Sequence, residues 1–271
     1  MPNVLSDRQA GVRTLTINRP EKRNALNSET IFALKDALTE AVRDPDSRVV
    51  VLTGAGGAFS SGADLGGGGS GGSGGSARSD GSDNTPAGDG GDIMEDGFNG
   101  VIRAIWNIPK PVIAAVDGVA AGFGCSLSLA CDVRLASSTA RFSLIFVQRA
   151  LTIDGGASYL LPRLAGLKGF ELALTGEIVP AQEAERIGLV NRVIPQEEFS
   201  AYVTEYAQKM AKQAPLALAT IKASLHHALG RSLDEVLTYE MAEQRKMVRT
   251  ADFREGVAAF LEKRAPNYTG R

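Results

Sequence analysis

Two glycine-punctuated turns and one isolated carboxylate carry most of the chemical content of this sequence. The first turn, GAGGAFSSGADL at residues 54–65, follows the apolar run Val49 to Thr53. The second lies within KPVIAAVDGVAAGFGCSLSLACDVRLA, residues 110–136, between the apolar run Val112 to Val116 and an apolar helix expected from about Gly124 to Cys131. Gly118, Gly122 and Gly124 allow positive φ or close backbone approach. A tight turn in a packed core would use them as readily as a helix N-terminus whose free amides face a ligand. Two buried strands that each end this way can direct backbone N–H groups onto one cleft, which is what stabilising negative charge on a carbonyl oxygen requires. The carboxylate is Asp154, just before Gly155, Gly156 and the apolar helix expected at Ala157 to Leu161. It is either an N-cap or an acid–base group beside an apolar surface.

The elements that must position these groups read as alternating strands and helices. Val12 to Ile17 has strand alternation, and Ser28 is a plausible cap for a helix with Ile31, Leu34, Leu38 and Val42 on one face. With the strand at Arg48 to Thr53 this makes a strand–helix–strand unit of the kind that builds parallel sheets. Asp92 to Asn107 reads as a helix stopped by Pro109, Ser137 to Phe146 as a turn and short strand, and Leu167 to Thr175 and Pro180 to Ile187 as helices. Leu189 to Val193 is a short extended piece. From residue 197 the pattern is almost wholly helical, at 197–213, 215–228, 232–248 and 252–263. Between residues 66 and 91 the run GGGGSGGSGGSARSDGSDNTPAGDGG is too polar to offset the ordering of its backbone. It is either an inserted or engineered linker or a mobile lid beside the first turn.

Bulk properties narrow the function classes. With 29 basic and 31 acidic residues and a net charge of −2, there is no basic stripe to favour nucleic acid. The start MPNVLSDRQAG lacks a secretory pattern, and no apolar run approaches the roughly 18 residues of a membrane span. Cys125 and Cys131 are expected as reduced packing residues, with no metal-ligand set, which points to the cytoplasm. His226 and His227 are adjacent in a late helix and are read as surface or interface residues. The first strand is not followed by GxGxxG, and GFGCS is not a GxSxG elbow, which disfavours a dinucleotide dehydrogenase and a serine hydrolase.

Together the two turns, RPEKRNALN at residues 19–27, and REGVAAFLEKRAPNYTG at residues 254–270 resemble the signatures of the enoyl-CoA hydratase/isomerase (crotonase) superfamily, in its order and over nearly the whole chain. The resemblance implies an α/β, crotonase-like (ClpP/crotonase) spiral fold of repeated β-β-α units. An acyl-CoA-binding core would occupy residues 1–195 and a helical oligomerisation region residues 196–271, giving a homotrimer or a dimer of trimers. The substrate would be an acyl-CoA or enoyl-CoA, with coenzyme A as part of the thioester and no redox cofactor.

Matched position by position, the resemblance makes the backbone amides of Ala63 and Phe123 the oxyanion donors. The second place is usually glycine, and this chain has GFG rather than GGG. Arg23, Ala25, Asp64 and Leu65 match positions along the coenzyme A portion. Phe260 and Lys263 match a pair near its nucleotide, often contributed across a subunit boundary. The two glutamates that handle water in hydratases of the family are matched by Ser126 and Phe146, neither of which can replace a carboxylate. Asp154 matches an acidic position used by related isomerases and a related dehalogenase. The resulting expectation is an enoyl-CoA isomerase-like proton transfer with Asp154 as acid and base. The alternatives are hydration of 2-enoyl-CoA in fatty-acid metabolism and a nonenzymatic acyl-CoA-binding protein.

Overall fold

The apolar runs form the centre of the molecule. The computed structural model describes residues 1–65 and 92–271, so the Gly/Ser-rich stretch at 66–91 lies outside the described residues. Strands β1 (Val4–Gln9) and β2 (Val12–Ile17) form an antiparallel pair, and helix α1 (Ser28–Arg43) leads to β3 (Val49–Gly54), parallel to β2. A π-helical turn, Ile93–Asn99, then enters α2 (Gly100–Asn107). Next come β4 (Val112–Val116), β5 (Val119–Ala121) and α3 (Phe123–Ala130). The strand–strand–helix order repeats as β6 (Val133–Ser137), β7 (Arg141–Ser143) and α4 (Ala157–Thr175). After β8 (Val179–Pro180), α5 (Ala181–Arg186) and β9 (Arg192–Ile194) come α6 (Phe199–Ala211), α7 (Pro215–Ala228), α8 (Leu233–Met247) and α9 (Ala251–Glu262).

In each repeat the first strand joins a 6-stranded sheet ordered β1-β2-β3-β4-β6-β9, and the second joins a 3-stranded sheet ordered β5-β7-β8. This is the crotonase-like α/β arrangement of repeated β-β-α units, followed by a helical C-terminal region. Every residue of β4 is buried, as expected for a parallel strand covered on both faces. Leu34, Leu38 and Ile105 belong to the cluster on one face, whereas Phe199, Val203 and Ala207 of α6 pack with Val49, Val51 and Ile113 on the other. Helix α6 therefore completes the core, and α7 to α9 follow it.

Several local expectations change. Asn27, not Ser28, caps α1, its Oδ1 accepting from the Thr30 N–H at 3.0 Å. The helix read at 92–107 starts with π-helical geometry, whereas the separate helices read at 157–161 and 167–175 agree with the break within Ala157–Thr175 at Gly166, whose φ is 53° and ψ −133°. As expected, Cys125 and Cys131 are free, buried thiols, pushed up to about 12 by desolvation. His226 is not a plain surface residue: its ring stacks on Trp106 at 3.6 Å, and His227 stacks on Tyr239 at 3.9 Å. Among the described residues no helix is long and apolar enough to cross a membrane.

Two buried cations fix the far end of α3. The Arg134 guanidinium donates to the carbonyls of Cys131 at 2.7 Å, Leu129 at 3.3 Å and Leu189 at 2.8 Å, satisfying helix-end acceptors that water does not reach. Lys222 of α7 places its ammonium 2.8 Å from the Asp132 carboxylate, 2.8 Å from the Ile105 carbonyl and 3.2 Å from the Lys110 carbonyl. Asp132 in turn accepts from the Val112 N–H at 2.7 Å, so one ammonium joins α7 to the base of the large sheet.

Candidate active site

The two glycine turns meet as paired backbone. Ser60 bridges Ala120, and Ala63 bridges Leu26. On that side Leu26 N–H donates to the Gly62 carbonyl at 2.8 Å and Asp64 N–H to the Leu26 carbonyl at 3.0 Å. The Ala63 N–H therefore faces the opposite way. Across from it, Gly122 ends β5 with φ 52° and ψ −128°, its N–H held by the Ser143 carbonyl at 2.9 Å and its carbonyl accepting from Ser126 N–H at 3.1 Å. Phe123 is thus the first residue of α3, where an N–H has no partner within the helix. Among the described residues neither amide donates to a protein acceptor.

Their closeness depends on Gly62. With φ at +96°, a Cβ there would lie 2.7 Å from the Ala121 carbonyl oxygen and 3.3 Å from the Phe123 nitrogen. The backbone at Gly62 therefore runs close to the Phe123 nitrogen, and Ala63 and Phe123 border the same cleft, where two such N–H groups could serve one oxyanion.

These donors open on a cleft of about 710 Å³. Ala63, Phe123 and Asp154 all line it, as do Arg23, Ala25, Asp64 and Leu65. Phe260 and Lys263 do not: Phe260 is 82% exposed in a separate cavity of about 1080 Å³ among α7, α8 and α9, and Lys263 ends α9 in a left-handed conformation. That cavity is larger, but it lacks the backbone N–H groups of the two glycine turns and the Asp154 carboxyl.

Asp154 does not cap α4. Gly156 occupies the N-cap, and only the Asp154 backbone carbonyl serves the turn, accepting from Ala157 N–H at 3.0 Å. Among the described residues its Oδ1 is buried without a hydrogen-bond partner, and desolvation pushes the carboxyl up to about 6. Ser126 is fully buried and absent from the cleft wall, with its Oγ directed at the Gly122 carbonyl at 3.5 Å. Phe146 lines the cleft and presents no exchangeable proton.

The structure adds residues that sequence reasoning passed over. Arg19 binds the Asp64 carboxylate at 2.9 Å and the Ala25 carbonyl at 2.5 Å, clamping residues 19–27 to the Ala63 strand. Asn24, buried at φ 57°, donates to the Ala55 carbonyl at 2.8 Å and the Ala58 carbonyl at 2.5 Å. Arg19 and Asn24 stand inside the RPEKRNALN motif, which was the available signal. Lys22, Arg141 and Arg149 join Arg23 along the cleft. Among the described residues none of these four exposed cations pairs with a carboxylate. They leave the cleft positively charged apart from Asp154 and the Arg19-bound Asp64, as a phosphorylated ligand requires.

Comparison with known proteins completes the description. The family described as Enoyl-CoA hydratase/isomerase matches residues 7–271. The 1,2-epoxyphenylacetyl-CoA isomerase of Escherichia coli (strain K12) is 38% identical over 272 residues, which is 100% of both chains. The crotonyl-CoA hydratase of Syntrophomonas wolfei subsp. wolfei is 34% identical over 99% of this chain and 98% of its own. The crystal structure of an enoyl-CoA hydratase from Bacillus anthracis has a TM-score of 0.87 at 32% identity, covering 99% of this chain and 100% of that one.

Proposed function

The chain belongs to the enoyl-CoA hydratase/isomerase family, an enzyme of acyl-CoA chemistry, and from that premise we propose that it is an isomerase that shifts a proton within an unsaturated acyl thioester. The observation that carries this reading is the contrast between Asp154, an acid with a buried, unpartnered oxygen at the cleft, and Ser126 and Phe146 at the two places where a hydratase needs carboxylates.

The thioester oxygen sits between the Ala63 and Phe123 N–H groups. The Asp154 carboxylate removes a proton from the carbon acidified by the adjacent unsaturation and thioester. The electron pair delocalises toward oxygen, where the two amides stabilise it. Asp154, now a carboxylic acid, returns the proton at the other end of the dienolate, so the double bond moves and no water is consumed. The acyl wall contains Phe146 and Leu151, which suits an apolar acyl group. The name of the Escherichia coli relative, an isomerase of an epoxidised phenylacetyl thioester, supports isomerase chemistry on a ring-bearing acyl group.

Incubating the protein with a 3-enoyl-CoA in D₂O tests the reaction. The expected product is the migrated alkene, with deuterium at the carbon that receives the proton to the extent that the Asp154 acid exchanges with solvent before returning it. Rapid conversion of 2-enoyl-CoA to a 3-hydroxyacyl-CoA, without exchange into the 3-enoyl thioester, would establish the hydratase reading instead.

The coenzyme A portion lies along Arg23 and Ala25, with the backbone of Asp64 and Leu65 beside the pantetheine. Arg23 is exposed, so its contact with phosphate should contribute only about 1 kcal/mol. Arg23→Ala should weaken acyl-CoA binding about fivefold in a calorimetric titration and leave binding of the free acid unchanged. Equal loss for both ligands would place Arg23 away from the nucleotide.

Phe260 and Lys263 reach such a ligand from a neighbouring subunit in a trimer or dimer of trimers. Ile221, Leu225, Leu237, Met241, Val257 and Phe260 are all exposed on α7 to α9, a broader apolar surface than a free monomer usually carries. Sedimentation velocity at micromolar concentration should show a trimer or hexamer. A persistent monomer would remove Phe260 and Lys263 from the site.

A further inference from the structure

Among the described residues the Asp154 carboxyl has no charged partner, so what packs beneath it bears directly on its surroundings. The next residue, Gly155, lies against the Phe123 ring: a Cβ built on Gly155 would meet Phe123 Cε2 at 3.0 Å, Cδ2 at 3.2 Å and Ser126 Cβ at 2.7 Å. That ring is 1% exposed and is braced edge-on by Phe98, with centroids 4.5 Å apart and planes at 79°. Ser126, the small residue between them, lets the 154–155 turn settle onto the ring.

We propose that Phe123 serves the site twice, its backbone N–H as an oxyanion donor and its ring, braced by Phe98, as the dry floor that keeps water and counter-ions from the Asp154 carboxyl. The consequence for catalysis rests on Asp154 being the acid–base group, while the floor itself does not depend on that role. The ionisable groups on the surrounding elements are Cys125 on α3, Arg149 on the 145–149 turn, Arg103 on α2, Tyr159 and Arg163 on α4, Arg141 on β7, and Lys22, Arg23 and Asp64 across the cleft. None of them forms an ion pair or hydrogen bond with Asp154 among the described residues. Burial is the cause of its upward shift among the described residues. An aromatic floor supplies such burial without adding a hydrogen-bond donor.

The test follows the Asp154 carboxyl by ¹³C NMR titration, assigned by the signal lost in Asp154→Asn, in wild type, Phe123→Gly and Phe98→Leu. Phe123→Gly keeps the backbone amide and admits water, and should lower the Asp154 midpoint by about one pH unit or more. Phe98→Leu leaves residue 123 intact and should move it the same way by a smaller amount, giving a reading even where Phe123→Gly fails to fold. The acidic limb of kcat/KM should move with the midpoint. An unchanged midpoint in the folded variants would overturn the floor. Full turnover by Asp154→Asn would instead refute the catalytic reading and leave the titration to judge the floor by itself.

Discussion

Asp154→Asn should reduce kcat for double-bond migration by about 10²–10⁴-fold while leaving the fold and the affinity for a saturated acyl-CoA intact. Asparagine keeps the shape and cannot take the proton, so the loss should fall on turnover and on solvent exchange together. Retained exchange would remove Asp154 from the mechanism. The same variant has a second expected signature, in stability. The carboxyl titrates near 3.8 as a free group and at about 6 in the folded chain, so the native state holds the proton more tightly. Stability then falls as pH rises through that interval, and the full penalty applies above about pH 6. Removing the charge should stabilise the protein at pH 8 by about 1–2 kcal/mol, limited by the solvent still in contact with the group. The gain should vanish below about pH 4. Thermal unfolding at several pH values checks the sign.

Gly62→Ala should damage the site although it adds a single methyl group. The new Cβ would fall 2.7 Å from the Ala121 carbonyl oxygen at a φ of +96°, so the backbone must move, and the Phe123 nitrogen is only 3.3 Å away. Displacing one donor of an oxyanion pair typically costs about 10²–10³ in turnover. The strained backbone should cost stability as well, about 1–3 kcal/mol. Expected results are a collapse of kcat, weakened binding of an enolate-like 3-oxoacyl thioester, and little change in affinity for a saturated acyl-CoA. Wild-type turnover would show that the Ala63 amide does not contact the reacting oxygen.

How much of this was legible depends on how far the determining contacts lie apart in sequence. The apolar runs at Val49 to Thr53 and Val112 to Val116 announced buried parallel strands, because a strand covered on both faces needs no polar alternation. The strand Val4–Gln9 has no such pattern: five of its six residues are exposed, and it exists through pairing with β2, from Val4 opposite Ile17 to Gln9 opposite Val12. Three-residue β5 was hidden among glycines and alanines. At the site, the identity of Asp154 was readable, but its orphan oxygen was not, since an aspartate before Gly-Gly is equally suited to capping. The Arg19–Asp64 clamp spans 45 positions and the packing of Gly155 on Phe123 spans a turn, a helix and two strands, so neither leaves a local pattern.

The Lys222 ammonium bears on how far the chain can be taken apart. A protein ending after α6 would keep both covering layers of the sheet, yet it would lose the ammonium bound to the Asp132 carboxylate and to the carbonyls of Ile105 and Lys110. Truncation would then leave the Asp132 carboxylate, just before β6, without its ion-pair partner and the carbonyls of Ile105 and Lys110 without their donor. The catalytic layers are therefore not a detachable module. Grafting them without α7 calls for Asp132→Asn at the cut, so that the amide can still accept from Val112 while no unpaired charge remains.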